Sequence, residues 1–396
     1  MHDIIKVLVV TPDPNGGGSS QSLLTLLRNC DLSYFHFKVV LPRDGYLSNE
    51  LDKMGIDYEI DHNLVLSVWP RAEKLSDKLL FFPRVIKVII KNYLSTNSIT
   101  KIVKSFSPDI IHSNSSLITA GYNVSKKLGI KHIWHIREYG TKDFQLTFFP
   151  TEKEKRTLLL DTVSIAITKG IKQHFKLGQT CHVIYNGIET VHFPCISLHK
   201  SNYYLYAGHV TKNKGVTDLV EAFLDYKKRG GNFDLLIVGR CSNDYRDFLE
   251  KIIKSSSAES HVKFVGETRD ISRLLSEATA VIIPSYFEAF GRVLAEAISH
   301  GTLIIGRNSG GLKEQFDLGL SDNGNEIGFR FSSVKELTNC LFRVESLQNE
   351  EMMEIIKRGH KSITKHFSSE KYGSNITNLY EKVLNENVKT SYLSEE

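Results

Sequence analysis

The stretch Val281–Gly311, VIIPSYFEAFGRVLAEAISHGTLIIGRNSGG, limits what this chain can fold into more than any other. Its apolar run Val281–Pro284 reads as a buried strand, followed by an acidic, aromatic loop. The spacing then predicts a helix from about Gly291 to His300 and a second apolar strand from Thr302 to Ile305. Strand, helix and strand in that order form a βαβ unit of a parallel sheet, and ligands of such sheets bind at the carboxyl ends of the strands.

The loop Ser285–Gly291 feeds a helix N-terminus, whose first N–H groups lack intrahelical partners and favour an anion such as a phosphate. Glu288 precedes that helix and Glu296 lies inside it, so two hydroxyl acceptors flank one phosphate cradle. A sugar on one side of a diphosphate and a ribose diol on the other suit that layout, which is the layout of a nucleotide sugar. Two glutamates on an amphipathic helix are otherwise simply solvated. What separates Glu288 is its tight loop at a strand end, beside a glycine where backbone can approach closely.

The pattern FEAFGRVLAEA, with glutamates separated by seven residues and followed by HGTLIIGRNSGG, resembles retaining glycosyltransferases of family 4, the glycosyl transferases group 1. The resemblance extends over nearly the whole chain. It implies the GT-B fold: two Rossmann-like parallel-sheet α/β domains facing a central cleft, with a C-terminal helix crossing back to the first. The expected boundaries are 1–190 for an acceptor domain, joined by a helix at 370–388, and 200–369 for a nucleotide-sugar donor domain.

A chain of 396 residues accommodates two domains, and no apolar run approaches the ~20 residues that span a bilayer. The start MHDIIKVLVVTPDP enters an apolar strand without a secretory core, so a cytoplasmic location is expected. Five scattered cysteines without a CxxC pair argue against a disulfide framework or a zinc site. A net charge of +5 is too small and dispersed to imply nucleic acid.

The first half opens with an apolar strand, Ile4–Val10, the loop TPDPNGGGSS, and a helix expected from about Gln21. Strand, glycine loop and helix suit either a phosphate site or a plain tight turn, and the spacing is not GxGxxG. The resemblance makes Gly16, Gly17 and Gly18 candidate backbone over the donor phosphates. Residues 74–106 read as a basic amphipathic helix carrying Lys78, Arg84, Lys87, Lys91, Lys101 and Lys104. Such a helix either lies on an anionic membrane, at the inner face of the cell membrane, or packs against the N-terminal sheet. Strands Asp109–His112 and Lys131–Ile136 bring His112 and His135 to the ligand edge of one sheet. The resemblance favours His135, placing it near the reacting sugar. Asn186-Gly187 resembles the family's NG motif and also reads as an ordinary turn, and 192–202 reads as a linker.

The second half repeats the layout: strand Tyr203–Ala207, loop Gly208–Gly215 and helix Val216–Lys228. The family carries two cations in this loop for the donor diphosphate. Lys214 matches one, whereas His209 stands where the family has arginine and supplies a hydrogen bond without fixed charge. Lys212 or Arg292 would compensate. The loop Gly266–Asp270 falls where relatives meet the nucleotide base, and Ser309-Gly310-Gly311 reads as a further loop. Three helical segments, near 333–345, 350–366 and 370–384, complete the chain.

The resemblance therefore implies a metal-independent, retaining transfer of a sugar from a nucleotide diphosphate to an acceptor hydroxyl, with no cofactor. Lys214, the N–H groups of Ala289, Phe290 and Gly291, and Arg292 would meet the diphosphate. Glu288 would bind the sugar, Glu296 the ribose, and His135 the sugar or its developing charge. The acceptor suggested is a growing or lipid-linked glycan of bacterial cell-surface polysaccharide. A nucleotide-sugar 2-epimerase of the same fold and a catalytically weak nucleotide-sugar-binding protein are the alternatives.

Overall fold

The structure, a computed structural model, describes residues 4–70, 79–143, 146–148, 151–190, 200–256, 258–268 and 270–385. Residues 74–78 of the basic segment, most of the expected linker, Cys195, Arg269 and the C-terminal tail lie outside the described residues. The chain divides into two compact units, one of Met1–Gly187 with Glu370–Glu396, the other of Ile188–Ser369.

In the first unit the strands are β1 (Ile5–Val10), β2 (Phe35–Leu41), β3 (Asp57–Ile60), β4 (Val68–Pro70), β5 (Ile110–Ser113), β6 (Lys131–Ile136), β7 (Leu146–Phe148), β8 (Val163–Ala166) and β9 (Cys181–Val183). Seven form a sheet ordered β3-β2-β1-β5-β6-β8-β9, parallel at every pairing, while β4 and β7 pair antiparallel apart from it. The near-continuous apolar runs suit a sheet covered on both faces. On β1, Ile5, Val7 and Val9 enter one core with Leu23 and Leu27, while Leu8 and Val10 enter the other with Ile99, Val103 and Val124. The final helix, Ser369–Asn385, sends Tyr372, Ile376, Leu379, Tyr380 and Val383 into the first of these cores. That spacing of three to four residues is one helical face.

The second unit comprises β10 (Ser201–Ala207), β11 (Asp234–Val238), β12 (Val262–Gly266), β13 (Ala278–Ile283), β14 (Leu303–Arg307) and β15 (Phe329–Phe331), in the order β12-β11-β10-β13-β14-β15. All are parallel. In each sheet the order reverses beside the first strand, between β1 and β5 and between β10 and β13, and such switch points open a crevice at the carboxyl ends.

Several expectations are corrected. The first helix is Gly18–Arg28, so Gly18 is its first residue and not part of the loop. Gly310 and Gly311 open a helix, Gly310–Asn323, which the sequence reading left as loop. Ser201 and Asn202 belong to β10 and not to the linker. The basic segment is a helix over Phe81–Phe106 that divides along its length: Ile99, Val103 and Phe106 are buried, whereas Phe82, Ile86, Ile89, Ile90, Tyr93 and Leu94 are exposed. Four cysteines are free thiols among the described residues, and burial pushes that of Cys30 up to about 12.

Because Ile376 is fully buried in the first unit's core, Ile376→Ala is expected to cost ~2–5 kcal/mol. Urea unfolding followed by circular dichroism measures it, and a loss below ~1 kcal/mol would mean that the final helix is not part of that core.

Candidate active site

The switch point of the second unit is bounded by the loop after β10 and the loop after β13. The first passes through Gly208, His209 and Val210 into a short 3-10 turn, Lys212–Lys214, and ends at Gly215. Gly215 has φ +68°, and a Cβ there would lie 2.1 Å from the Pro284 carbonyl oxygen. Only glycine allows that approach, which seats one loop on the other. A second close approach holds the far side: the Gly311 N–H donates to the Glu288 carbonyl at 2.7 Å, and a Cβ on Gly311 would meet the Ala289 and Phe290 backbone at 2.6 Å.

These contacts bring Lys214 and Glu288 together. The Lys214 ammonium donates to Glu288 Oε1 at 2.7 Å, and the Ser285 hydroxyl donates to the same oxygen at 2.7 Å. The helix Arg292–Ser299 starts from Gly291, whose φ of +85° turns the chain into it. One turn in, Arg292 Nε donates to Glu296 at 3.1 Å. Ala289 is half-buried and Phe290 buried at the head of this helix. His209 is exposed, and its carbonyl accepts from the Tyr206 hydroxyl at 2.6 Å.

Arg307 was missed by sequence reasoning. At the end of β14 it donates to the Pro284 carbonyl at 2.8 Å and to Asp218 at 2.5 Å, while stacking over Tyr286 at 4.6 Å. Tyr286 donates to the other Asp218 oxygen at 2.7 Å. Arg307 is only 8% exposed, and its pairing with the half-buried Asp218 fixes the start of the acidic loop. A charged residue ending an otherwise apolar strand was the available signal.

The first unit builds a second polar cluster at the edge formed by β1, β5 and β6. Register pairs His112 with Ile133, and His135, two residues on, shares that face. Their rings stack at 5.3 Å. Arg137 donates through Nε and Nη2 to Asn114 at 3.0 and 2.8 Å, through Nη1 to Asn186 at 2.8 Å, and through Nη2 to the Tyr372 hydroxyl at 3.1 Å. Asn114 in turn donates to Thr11 and to the Ser19 carbonyl beside the glycine loop. Glu138 Oε1 accepts from the Ser115 hydroxyl, the Ser116 hydroxyl and the Ser116 N–H at 2.7–2.8 Å. Arg137 and Glu138 thus pin residues 114–116. Gly17 caps the first helix, and Asp13 accepts from Ser19 at 3.0 Å beneath it.

On the opposite face Lys155 is buried over Trp134 at 4.3 Å and donates to the Ser116 carbonyl. Desolvation holds its ammonium down to about 7, partly offset by Glu138. Glu138 is shifted up by desolvation, against the hydrogen bonds from the two serines.

Two Rossmann-like parallel-sheet units are the fold of GT-B proteins. Residues 189–362 match the family model described as glycosyl transferases group 1. The chain is 26% identical over 294 residues to the alpha-monoglucosyldiacylglycerol synthase of Acholeplasma laidlawii, covering 71% of this chain and 68% of that one. It is 24% identical over 389 residues to an uncharacterized glycosyltransferase of Methanocaldococcus jannaschii, covering 96% and 99%. The crystal structure of Anabaena HepE in complex with UDP superposes with a TM-score of 0.73 at 18% identity, covering 96% and 100%. The chain is an enzyme, a glycosyltransferase of the hexosyltransferase kind.

Lys155 generates a pH prediction. Its folded value lies below the ordinary lysine value, so between about pH 7 and 9 the unfolded chain binds a proton that the folded chain does not. Stability therefore rises with pH across that window through this group. Urea midpoints measured from pH 7 to 9 should rise less in Lys155→Met than in the parent; equal slopes would mean that Lys155 is not desolvated.

Proposed function

We propose that the enzyme transfers a sugar from a nucleoside diphosphate sugar to an acceptor hydroxyl with retention of configuration. The observation that carries this is the Lys214–Glu288 pair at the switch point of the second unit. Its side chains are 35% and 19% exposed, and an ion pair that reaches solvent contributes only ~0–1 kcal/mol. A diphosphate can therefore take Lys214 from Glu288 at little cost, which frees the carboxylate to accept hydroxyls of the transferred sugar.

As the sugar–phosphate bond breaks, charge grows on the leaving diphosphate. Lys214, the N–H groups at residues 289–291 and Arg292 form a preorganised set of donors for it. Glu296 would accept from the ribose diol once Arg292 turns to phosphate. His209 would add a hydrogen bond, and Lys214 with Arg292 would supply the fixed charge that the family divides between two cations of one loop. Neither metal nor cofactor enters this reading, because cationic side chains and backbone donors meet the charge. HepE is solved with UDP and with UDP-glucose, which supports a uridine nucleotide as the first donor to try.

The acceptor we propose is lipid-linked or a growing cell-surface glycan, reached from a membrane surface. Among the described residues no helix is long and apolar enough to cross a membrane. The first half of the helix Phe81–Phe106 nevertheless exposes Phe82, Ile86, Ile89, Ile90 and Tyr93 beside Arg84, Lys87 and Lys91. Apolar insertion with cationic flanks suits the interface of an anionic bilayer.

Glu288→Gln and Lys214→Ala are each expected to lower turnover of a matching nucleotide sugar by ~100-fold or more while melting temperatures stay near that of the parent. A near-normal rate in either would remove that residue from the site. For the membrane contact, cosedimentation at low salt with phosphatidylglycerol vesicles, but not with phosphatidylcholine vesicles, is expected, and Lys87→Glu with Ile90→Asn should abolish it. Equal sedimentation with both lipids, or with neither, would sink the contact.

A further inference from the structure

The head of the helix Arg292–Ser299 rests on a buried side chain of the helix Gly310–Asn323. Gln315 is 1% exposed, and its Nε2 lies 2.5 Å from the Phe290 carbonyl oxygen and 3.3 Å from that of Gly291. A carbonyl only accepts, so the amide turns its NH2 group to this pair and sets two hydrogens against two acceptors. The Gln315 oxygen is left buried, with no hydrogen-bond partner among the described residues. Leu312, three residues earlier on the same helical face, packs under Gly291, where a Cβ would lie 2.4 Å from Leu312 Cδ2.

In a trans peptide the C=O and N–H groups point in opposite directions. The Phe290 carbonyl shares its peptide with the Gly291 N–H, and the Gly291 carbonyl shares its peptide with the Arg292 N–H. Drawing both carbonyls toward Gln315 therefore turns both N–H groups away from the helix Gly310–Asn323. The Gly291 carbonyl also accepts from the Leu294 N–H at 3.1 Å, so the helix it begins fixes its direction in part. The Phe290 carbonyl lies ahead of that helix, and it takes the shorter Gln315 contact. Glycine at 291 leaves the flanking peptides freer to rotate than another residue would, so they need holding. A side chain of the same length without polar atoms would fill this space without burying an unpaired oxygen. What the amide adds is its two donors.

We infer that Gln315 is a positioning residue for sugar transfer, holding these two peptides so that the Gly291 and Arg292 N–H groups face the leaving diphosphate. It touches neither sugar nor phosphate itself. This role rests on the proposed function above; the contact with the two carbonyls does not. Donors held in place before the sugar–phosphate bond breaks stabilise the growing charge without reorganising. Peptides free to rotate would lose that advantage.

Phe290-Gly291 is the only Phe-Gly pair in the sequence. Labelling the full chain with carbonyl-13C phenylalanine and 15N-glycine therefore gives one carbonyl–amide correlation, which reports the Phe290 C=O and the Gly291 N–H together. Gln315→Met keeps the side-chain length and removes both donors. Its Phe290 carbonyl signal should move upfield, as a carbonyl does on losing a hydrogen bond, while Tm stays near that of the parent. An unmoved signal would overturn the contact. So would a crystal structure of the parent with Gln315 Nε2 beyond ~3.5 Å from both carbonyls, which decides the contact where the variant does not fold. With the nucleotide sugar that the parent turns over, Gln315→Met should lower kcat roughly tenfold, the scale of one weakened hydrogen bond, and change KM less. Adding the nucleoside diphosphate released in that reaction should move the Gly291 proton downfield in the parent and less in the variant. A moved carbonyl signal with unchanged kcat and an unresponsive Gly291 proton would overturn the positioning role and leave Gln315 as packing. A parent that turns over no nucleotide sugar would instead sink the proposed function, and the positioning role with it, while the carbonyl signal still decides the contact.

Discussion

The acidic loop of the second unit is held in place by backbone resting on backbone. Gly215 lies against the Pro284 carbonyl, and Gly310 and Gly311 lie against residues 288–290. None of these contacts leaves room for a Cβ, and at Gly215 and Gly310 the positive φ favours glycine as well. The loop hangs at the carboxyl end of β13 between two supports, with Arg307 bonded to the Pro284 carbonyl from below. The position of Glu288, the start of the helix Arg292–Ser299 and the reach of Lys214 all follow from that clamp. A side chain on any of these glycines would move the loop and separate Lys214 from Glu288.

In the first unit the corresponding support is polar and comes in part from the far end of the sequence. The final helix fills a core with Ile376 and Leu379 and carries the hydroxyls of Tyr372 and Tyr380 to Arg137 and His112. Packing of the helix and orientation of the two histidines are therefore one property. Arg137 makes no ion pair among the described residues, and its guanidinium is surrounded by amide, hydroxyl and imidazole acceptors. A neutral surrounding of this kind keeps the positive charge unneutralised inside the unit, and burial, with this charge second to it, holds both histidines neutral.

Much of the architecture was legible because buried parallel strands are short apolar runs. Lys131–Ile136 and Val216–Lys228 have the bounds read from the sequence. The βαβ unit was legible for the same reason, and its glycines and glutamates directed attention to the right loop. Short elements without strong periodicity, such as β15 and the β4–β7 pair, left no such trace. The helix Gly310–Asn323 was hidden because two leading glycines read as loop, although they are there to pass under the Glu288 backbone. Pairings between distant residues were also out of reach. Nothing in the local sequence tells Arg307 that it meets Asp218, 89 positions away, or His112 that it meets Tyr380, 268 positions away. The fold brings them together, and spacing along the chain carries no record of it.

The ion pairs at the site bear on how a charged ligand would enter. Lys214 with Glu288, and Arg292 with Glu296, place two cations and two carboxylates around one helix N-terminus. Each cation is satisfied by the carboxylate that the proposed reaction needs for hydroxyls. An unpaired Glu288 beside the entry for a diphosphate would repel it; paired with Lys214, it presents no net charge. In the proposed reaction, phosphate oxygens would replace carboxylate oxygens around each cation and sugar hydroxyls would replace the cations around each carboxylate, so no charge would be left without a partner. The gain comes from the second exchange, since it proceeds only when hydroxyls stand where the carboxylates can reach them. Inorganic diphosphate could take the cations but would leave Glu288 and Glu296 facing its charge with nothing to donate to them. Under the proposed function, a site built in this way would favour a diphosphate flanked on both sides by hydroxyls over diphosphate alone, through the same two glutamates that pair with its cations.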